Sequence, residues 1–183
     1  MIITLIGMPG SGKTCMGRSL SQKLGMRVID GDKFIEAKYD EQLYKIIERE
    51  GIEAFKKIEE EALLSIDDDD VILTPGGSAV YYDSFMKKCS ERGIIVYLYT
   101  SPETVLERIG DYSKRGIVLK EGQTIHDLFA EREPLFRRHA DIIIDCDGRA
   151  FAKYKHVAFS EINKYIKKHR ERLSTSLMSE TVK

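Results

Sequence analysis

The segment at residues 7–14, Gly-Met-Pro-Gly-Ser-Gly-Lys-Thr, matches the pattern GxxxxGK[ST]. Its glycines allow consecutive backbone N–H groups to turn toward one anion, and a helix that begins near Lys13 points its positive end at the same anion. The Lys13 ammonium can reach the outer phosphates of a nucleotide, and the Thr14 hydroxyl can coordinate Mg²⁺. The segment therefore predicts a nucleotide phosphate site, comprising Gly10, Ser11, Gly12, Lys13, Thr14 and Cys15. For the Cys15 side chain itself, a small packed thiol is the simpler interpretation.

Two carboxylates stand two residues apart in the sequence Asp30-Gly31-Asp32, directly after a short apolar run. Open parallel sheets bind their ligands at the edge where the strands end, so we expect both side chains at that edge. One carboxylate would organise Mg²⁺ through water, and the other would meet an acceptor hydroxyl and take its proton. A helix N-cap at either aspartate is the simpler alternative.

A second glycine-rich turn follows another short apolar run. It contains Gly76, Gly77 and Ser78, and its paired glycines would let a substrate approach bare backbone amides. A plain turn between a strand and a helix explains the same glycines without a ligand.

Three arginines lie in or beside a glycine-bounded, basic segment at about residues 110–123: Arg108, Arg115 and Arg132. An irregular segment of this length inside a compact domain is usually functional, and often a lid. Arginine suits planar anions and the charge of a phosphoryl-transfer transition state. As a set around a lid, these arginines favour a functional role over that of solvated surface residues.

Alternating apolar runs and amphipathic stretches predict the elements that position these residues. The nearly continuous run Ile2–Ile6 is typical of a strand buried on both faces of a parallel sheet. Four further strands are predicted at 26–29, 71–73, 94–99 and 142–144, and helices at 13–24, twice within 41–66, from 102, from about 124 and from 150 to about 168. This order predicts a three-layer α/β fold with a mainly parallel sheet. We expect one domain over residues 1–169 and a flexible polar tail over 170–183.

Composition excludes several classes of protein. The 183 residues include 29 Lys and Arg against 30 Asp and Glu, so the chain lacks the positive field that non-specific nucleic-acid binding needs. The apolar runs are too short to cross a bilayer, and no basic region of a signal peptide precedes the first one. Three scattered cysteines argue against a disulfide framework and a structural zinc site. We expect a cytoplasmic protein that binds a small molecule, without a nucleic-acid or membrane partner.

The size of the chain and its missing motifs narrow the class of nucleotide-binding protein. A GTPase needs an NKxD element, and the Asn163-Lys164 pair lacks the aspartate. Motor and AAA ATPases are longer. A short chain with a candidate lid favours a small-molecule kinase, in which water must be kept away from the transferring phosphoryl group.

Several motifs, in the same order, resemble those of shikimate kinases over about residues 1–168. The phosphate loop is similar to the family's, and so are VIDGDKFIE at 28–36, GIEAFKKIE at 51–59, GGSAV at 76–80 and REPLF at 132–136. The resemblance implies a nucleoside-monophosphate-kinase-like P-loop fold whose five-stranded parallel sheet has the order 23145. It also implies ATP-dependent phosphorylation of a shikimate hydroxyl, in aromatic amino-acid biosynthesis, by a usually monomeric enzyme.

The resemblance implies roles on the nucleotide side. Lys13 and the lid arginine, Arg115, would stabilise the transferring phosphoryl group. Thr14 and Asp30 would hold Mg²⁺. Arg108 keeps the family's spacing to Arg115 and would stack on the adenine.

The resemblance implies roles on the acceptor side as well. Asp32 would bind and activate the acceptor hydroxyl, in a helical acceptor-binding segment at about residues 32–62. Arg132 and Lys56 would clamp the substrate carboxylate. The turn of Gly76, Gly77 and Ser78 would line its pocket.

Three departures from the family's pattern fall on the acceptor side or the lid. Lys56 stands where the family has arginine, and a lysine cannot offer a two-pronged hydrogen-bonding fork. Ser78 stands where the family has a third glycine. The lid has the sequence Arg-Gly-Ile-Val at 115–118 in place of Arg-Pro-Leu-Leu. The identity of the acceptor is therefore less firmly predicted than the phosphate donor.

Three alternatives stay open. The first is a kinase of another small hydroxy acid or polyol, such as a gluconate-like sugar acid. The second is an adenylate kinase, which is less favoured because Asp-Gly-Asp at 30–32 occupies the place of a nucleotide-monophosphate segment. The third is a nucleotide-binding module whose catalytic function has decayed.

Overall fold

The computed structural model describes residues 1–109, 122–148 and 150–180, the side chains of 169–180 excepted. Within these ranges, one parallel sheet has the strand order β2-β3-β1-β4-β5. Its strands are β1 Ile2–Ile6, β2 Arg27–Asp30, β3 Val71–Thr74, β4 Gly93–Tyr99 and β5 Ile142–Asp145. The predicted fold class and the order 23145 are confirmed.

Eight α-helices flank this sheet in the described part of the chain. They are α1 Lys13–Leu24, α2 Gly31–Tyr39, α3 Leu43–Glu50, α4 Ile52–Leu64, α5 Asp83–Arg92, α6 Pro102–Ile109, α7 Ile125–His139 and α8 Phe151–Glu180, with a 3₁₀ helix at Ala79–Tyr81. Helix α5, whose buried residues are Phe85, Met86 and Cys89, is absent from the sequence prediction. None of the described helices combines the length and the apolar character needed to cross a bilayer.

The core lies on both faces of the sheet, as the continuous apolar character of β1 predicts. Ile2 and Ile6 pack on the side of α5 and α7, whereas Ile3 and Leu5 pack against α1 and α8. All five residues of β1 are buried. Because β1 lies at the centre of the sheet, the loop that follows it is anchored on a strand with no exposed edge.

A smaller apolar cluster holds the predicted acceptor-binding segment together. Ile35 of α2, Ile46 of α3 and Phe55 and Ala62 of α4 are buried against one another. These helices come between β2 and β3, and so they stand beside the edge of the sheet at which both strands end.

The last helix departs from the prediction. It runs to Glu180, beyond the predicted end near Lys168. Residues 170–180 contain neither glycine nor proline, so their polar character does not end the helix. That the segment 170–183 is flexible stays a prediction, as does the domain boundary at 169.

Candidate active site

A cavity of about 890 Å³ opens at the ends of the central strands. It brings together most of the predicted site residues: Gly10, Gly12, Lys13, Thr14, Cys15, Asp30, Asp32, Lys56, Gly76, Gly77, Ser78, Arg108 and Arg132. Ser11 differs, since it is fully buried behind the loop, where its N–H donates to the Met8 carbonyl at 3.1 Å. Arg115 and most of the predicted lid lie outside the described residues.

The loop between β1 and α1 requires glycine for steric reasons. Gly10 and Gly12 have φ angles of 77° and 93°, in the left-handed region that side chains disfavour. A Cβ atom on Gly10 would also lie 2.7 Å from Cγ1 of Ile109. The loop conformation therefore depends on the glycines that the motif contains.

Lys13 reaches across this loop. Its Nζ donates to the carbonyl oxygens of Gly7 at 2.8 Å and Met8 at 3.0 Å. Burial lowers the pKa of Lys13, Asp32 opposes that shift and Arg132 adds to it, and the resulting pKa is about 8. At neutral pH the side chain therefore remains a cation, held where the phosphates of a nucleotide would enter the loop.

Thr14 and Asp30 contact each other where α1 and β2 meet. The Thr14 hydroxyl donates to Oδ2 of Asp30 at 2.9 Å, while Oδ1 accepts from the Lys33 N–H at 3.3 Å and caps α2. The N-cap and the predicted metal role thus use different oxygens of one carboxylate. A hydroxyl and a carboxylate are the hard oxygen donors that Mg²⁺ prefers, so these residues fit that ion.

Thr74 is a residue of this region that the sequence analysis missed. It pairs in register with Asp30, so its side chain projects from the same face of the sheet. Its hydroxyl is buried at the cavity and has no hydrogen-bond partner among the described residues. The only signal in the sequence was its place directly before the Pro-Gly-Gly turn.

Asp32 lies in the first turn of α2 and lines the cavity, to which its side chain is exposed. Desolvation and the nearby charge of Glu59 raise the pKa of its carboxyl while Lys13 opposes the shift, and the resulting pKa is about 6. A carboxylate with a raised pKa is a better proton acceptor. Asp32 therefore has the environment of a general base.

Glu59 of α4 is a second carboxylate at the cavity, and the sequence analysis missed it. It is 2% exposed, and burial raises its pKa. The Tyr82 hydroxyl donates to its Oε2 at 2.6 Å, and the Ser78 hydroxyl donates to the same carboxylate at 2.7 Å. The side chain of Ser78 is thus directed at Glu59.

Gly76 separates the two carboxylates. A Cβ atom at this position would lie 2.8 Å from Oε1 of Glu59 and 3.0 Å from Oδ1 of Asp32. Both distances are too short for an ordinary contact, so a side chain at this position would displace one of the two carboxylates. The paired glycines are therefore more than a plain turn.

The two predicted carboxylate-binding cations differ in their settings. Arg132 is 5% exposed, and its Nη1 would lie 3.0 Å from a Cβ atom on Gly77. Lys56 is half-buried at the cavity, with its Nζ paired to Oε1 of Glu53 at 2.6 Å. Among the described residues no carboxylate forms an ion pair with Arg132, although Glu59 interacts with its charge. The ammonium of Lys56, by contrast, is already paired to Glu53.

The nucleotide end of the cavity contains Cys15 and Arg108. Cys15 is exposed and lines the cavity, so the interpretation as a packed thiol is wrong. It lies on the outer side of α1, whose buried side consists of Met16, Gly17 and Leu20. Arg108 donates through Nη2 to the Cys146 carbonyl at 3.0 Å, which fixes it at the end of β5.

These settings predict that thiol reagents modify one cysteine of the native chain. Cys15 is exposed, whereas Cys89 and Cys146 are buried and burial raises the pKa of Cys89 to about 11. We expect N-ethylmaleimide to label Cys15 first. MgATP should slow that labelling, because Cys15 lines the cavity in which the nucleotide would bind. Mass spectrometry of the labelled chain measures both effects. Equal labelling of Cys89 would contradict the assignment.

Comparison with known proteins agrees with this geometry. A family model described as "Shikimate kinase" matches residues 9–168. The chain is 36% identical to the shikimate kinase of Paracidovorax citrulli over 148 residues, which cover 78% of this chain and 80% of that protein. It is 33% identical to the shikimate kinase of Francisella tularensis subsp. novicida, with 98% and 96% of the two chains covered.

The chain belongs to the shikimate kinase family. The structure of the Acinetobacter baumannii shikimate kinase in complex with shikimate has a TM-score of 0.80 and 30% identity to it, over 92% of this chain and 93% of that one. Members of this family are ATP phosphotransferases that act on an alcohol group, with ATP and Mg²⁺. The predictions of family, fold, ATP and Mg²⁺ are therefore confirmed.

Proposed function

We propose that this shikimate kinase homologue transfers the γ-phosphoryl group of MgATP to a hydroxyl of shikimate, giving shikimate 3-phosphate, in the cavity described above. The observation that carries this proposal is the composition of that cavity. A phosphate-binding loop, a basic carboxylate and a buried guanidinium converge there from α1, α2 and α7. Those three groups match a phosphoryl donor, a hydroxyl that must lose a proton, and a substrate carboxylate.

On the nucleotide side, the loop amides and Lys13 bind the phosphates and neutralise the charge that develops on the transferring group. Thr14 and Asp30 would hold Mg²⁺, which supplies charge neutralisation at the phosphate oxygens. Arg108 contacts the nucleotide, and Arg115 remains the predicted lid arginine.

On the acceptor side, Asp32 accepts a hydrogen bond from the reacting hydroxyl and takes its proton. Arg132 binds the carboxylate of shikimate, with Lys56 as a second cation after it leaves Glu53. Gly76 and Gly77 let the substrate approach the backbone. Each group acts on one part of shikimate, so the substrate is oriented before transfer.

A coupled ADP-release assay tests this proposal. We expect turnover with MgATP to depend strongly on shikimate and to be absent with gluconate or AMP. Tight MgATP binding without shikimate-dependent turnover would contradict shikimate as the acceptor, while the assignment of the nucleotide site would still hold. Turnover with AMP would instead support the adenylate kinase alternative.

The pairing of Lys56 with Glu53 favours a second candidate, a kinase of another small hydroxy acid. The substitution Lys56→Arg distinguishes the two candidates. If shikimate is the acceptor, the KM for shikimate should stay the same or fall, because a guanidinium offers the substrate carboxylate two parallel donors. A clear rise in that KM would indicate a pocket adapted to a different acceptor. Glu53→Gln frees the same lysine and serves as the matched comparison.

A monomeric state, a cytoplasmic location and a lid over residues 110–123 belong to this proposal as expectations. The family's usual state suggests the first. The balanced charge of the chain suggests no requirement for a nucleic-acid partner.

A further inference from the structure

Tyr81 ends the 3₁₀ helix that follows the glycine turn, and its hydroxyl contacts two charged residues of α7. It donates to Oε1 of Glu131 at 2.7 Å and accepts from Nε of Arg132 at 3.1 Å. The Arg132 guanidinium also lies over the Tyr81 ring, 5.1 Å from its centroid. The ring and the hydroxyl together fix the guanidinium relative to the glycine turn.

These contacts determine which edge of Arg132 faces the cavity. Nε is engaged by Tyr81, whereas Nη1 lies beside Gly77 on the cavity wall. Among the described residues, none accepts a hydrogen bond from either terminal nitrogen. The edge formed by Nη1 and Nη2, which can give a carboxylate two parallel hydrogen bonds, is therefore left for a ligand.

The Glu131 carboxylate strengthens the contact between Tyr81 and Arg132. A phenol that donates to a carboxylate becomes a better acceptor for a second donor. Glu131 is itself held by Nε2 of Gln123 at 2.9 Å, at the residue where the predicted lid segment ends. The chain of contacts thus runs from the end of that segment to the cavity.

We propose that Tyr81 is a positioning residue for acceptor binding, which holds the Arg132 guanidinium in the orientation that receives the substrate carboxylate. This inference depends on the role of Arg132 in the proposed function. Ordering a free arginine costs conformational entropy at each binding event, and Tyr81 removes that cost in advance. The orientation of Arg132 matters more in this chain because Lys56 cannot offer the substrate carboxylate a second planar pair of hydrogen-bond donors.

The substitution Tyr81→Phe removes the hydroxyl and keeps the ring. We expect the KM for shikimate to rise roughly tenfold, as for the loss of one hydrogen bond to a charged group, with kcat and the KM for ATP unchanged. Tyr97→Phe is the matched control, since its buried hydroxyl has no partner among the described residues and it does not line the cavity. A lower Tm with an unchanged KM would show a merely structural role and would overturn the proposal.

A second measurement needs no acceptor. The ¹H–¹⁵N signal of Arg132 Nε–H should shift and exchange faster with water in Tyr81→Phe, but not in Tyr97→Phe. An unchanged signal would contradict the positioning role whatever the substrate is. Wild-type protein that shows this signal but no shikimate-dependent turnover would contradict the proposed function alone. The single substitution Glu131→Gln should weaken shikimate binding. Added to Tyr81→Phe, the same substitution should have no further effect, whereas additive effects of the two substitutions would exclude coupling through Tyr81.

Discussion

Substitution of Asp32 by asparagine should lower kcat by roughly 10²- to 10⁴-fold, the usual contribution of a general base. An amide cannot take the proton of the acceptor hydroxyl, although it fits the same space beside Gly76. The phosphate loop should still bind MgATP, because among the described residues no hydrogen bond joins Asp32 to the loop and Lys13 is held by the loop carbonyls. Steady-state kinetics and nucleotide binding by calorimetry, both at pH 7, measure the two effects separately.

The choice of pH 7 follows from Lys13. Its pKa is about 8, and Asp32 acts to raise it, so removal of the Asp32 charge lowers the pKa of Lys13 further. At a pH well above 7, Asp32→Asn would therefore also discharge Lys13 and mix two effects. Asp40→Asn, an exposed substitution that directly follows α2, is the matched control and should leave kcat unchanged. Turnover of Asp32→Asn near the wild-type rate would refute the role assigned to Asp32.

Substitution of Arg132 by glutamine should lower kcat/KM for shikimate on the order of 10²- to 10³-fold. Because Arg132 is buried, its guanidinium and the substrate carboxylate would form a desolvated charge pair. The substitution leaves the carboxylate in that pair without the two guanidinium donors. The KM for ATP should change little. Arg138→Gln, at an exposed position of the same helix, is the control.

The interaction of Arg132 with the buried Glu59 provides a control for loss of stability in this experiment. Arg132 lowers the pKa of the buried Glu59, so its removal favours protonation of that carboxyl. Thermal denaturation of both arginine variants would reveal any loss of stability from this source. A weak shikimate effect in Arg132→Gln with normal stability would show that Lys56 carries the carboxylate instead.

The sequence by itself determined the nucleotide side. The phosphate loop lies within eight consecutive residues, and Asp30 follows it by one helix and one strand. The buried character of β1 and the strand–loop–helix order place these groups at one sheet edge in any parallel α/β fold. The pattern was therefore sufficient to predict the fold class, Lys13, Thr14 and the aspartates.

Only the tertiary structure decided how the acceptor side is built. Glu59 meets Ser78 and Tyr82, 19 and 23 residues away, and Arg132 meets Tyr81 at a separation of 51. No periodicity connects residues so far apart, since their contact depends on how α4, the glycine turn and α7 pack around the cavity. A tyrosine or a glutamate on an amphipathic helix has the same pattern whether it faces a cavity or solvent. Whether such a side chain faces the cavity or solvent depends on how the helices pack, and the local spacing of residues does not specify that packing.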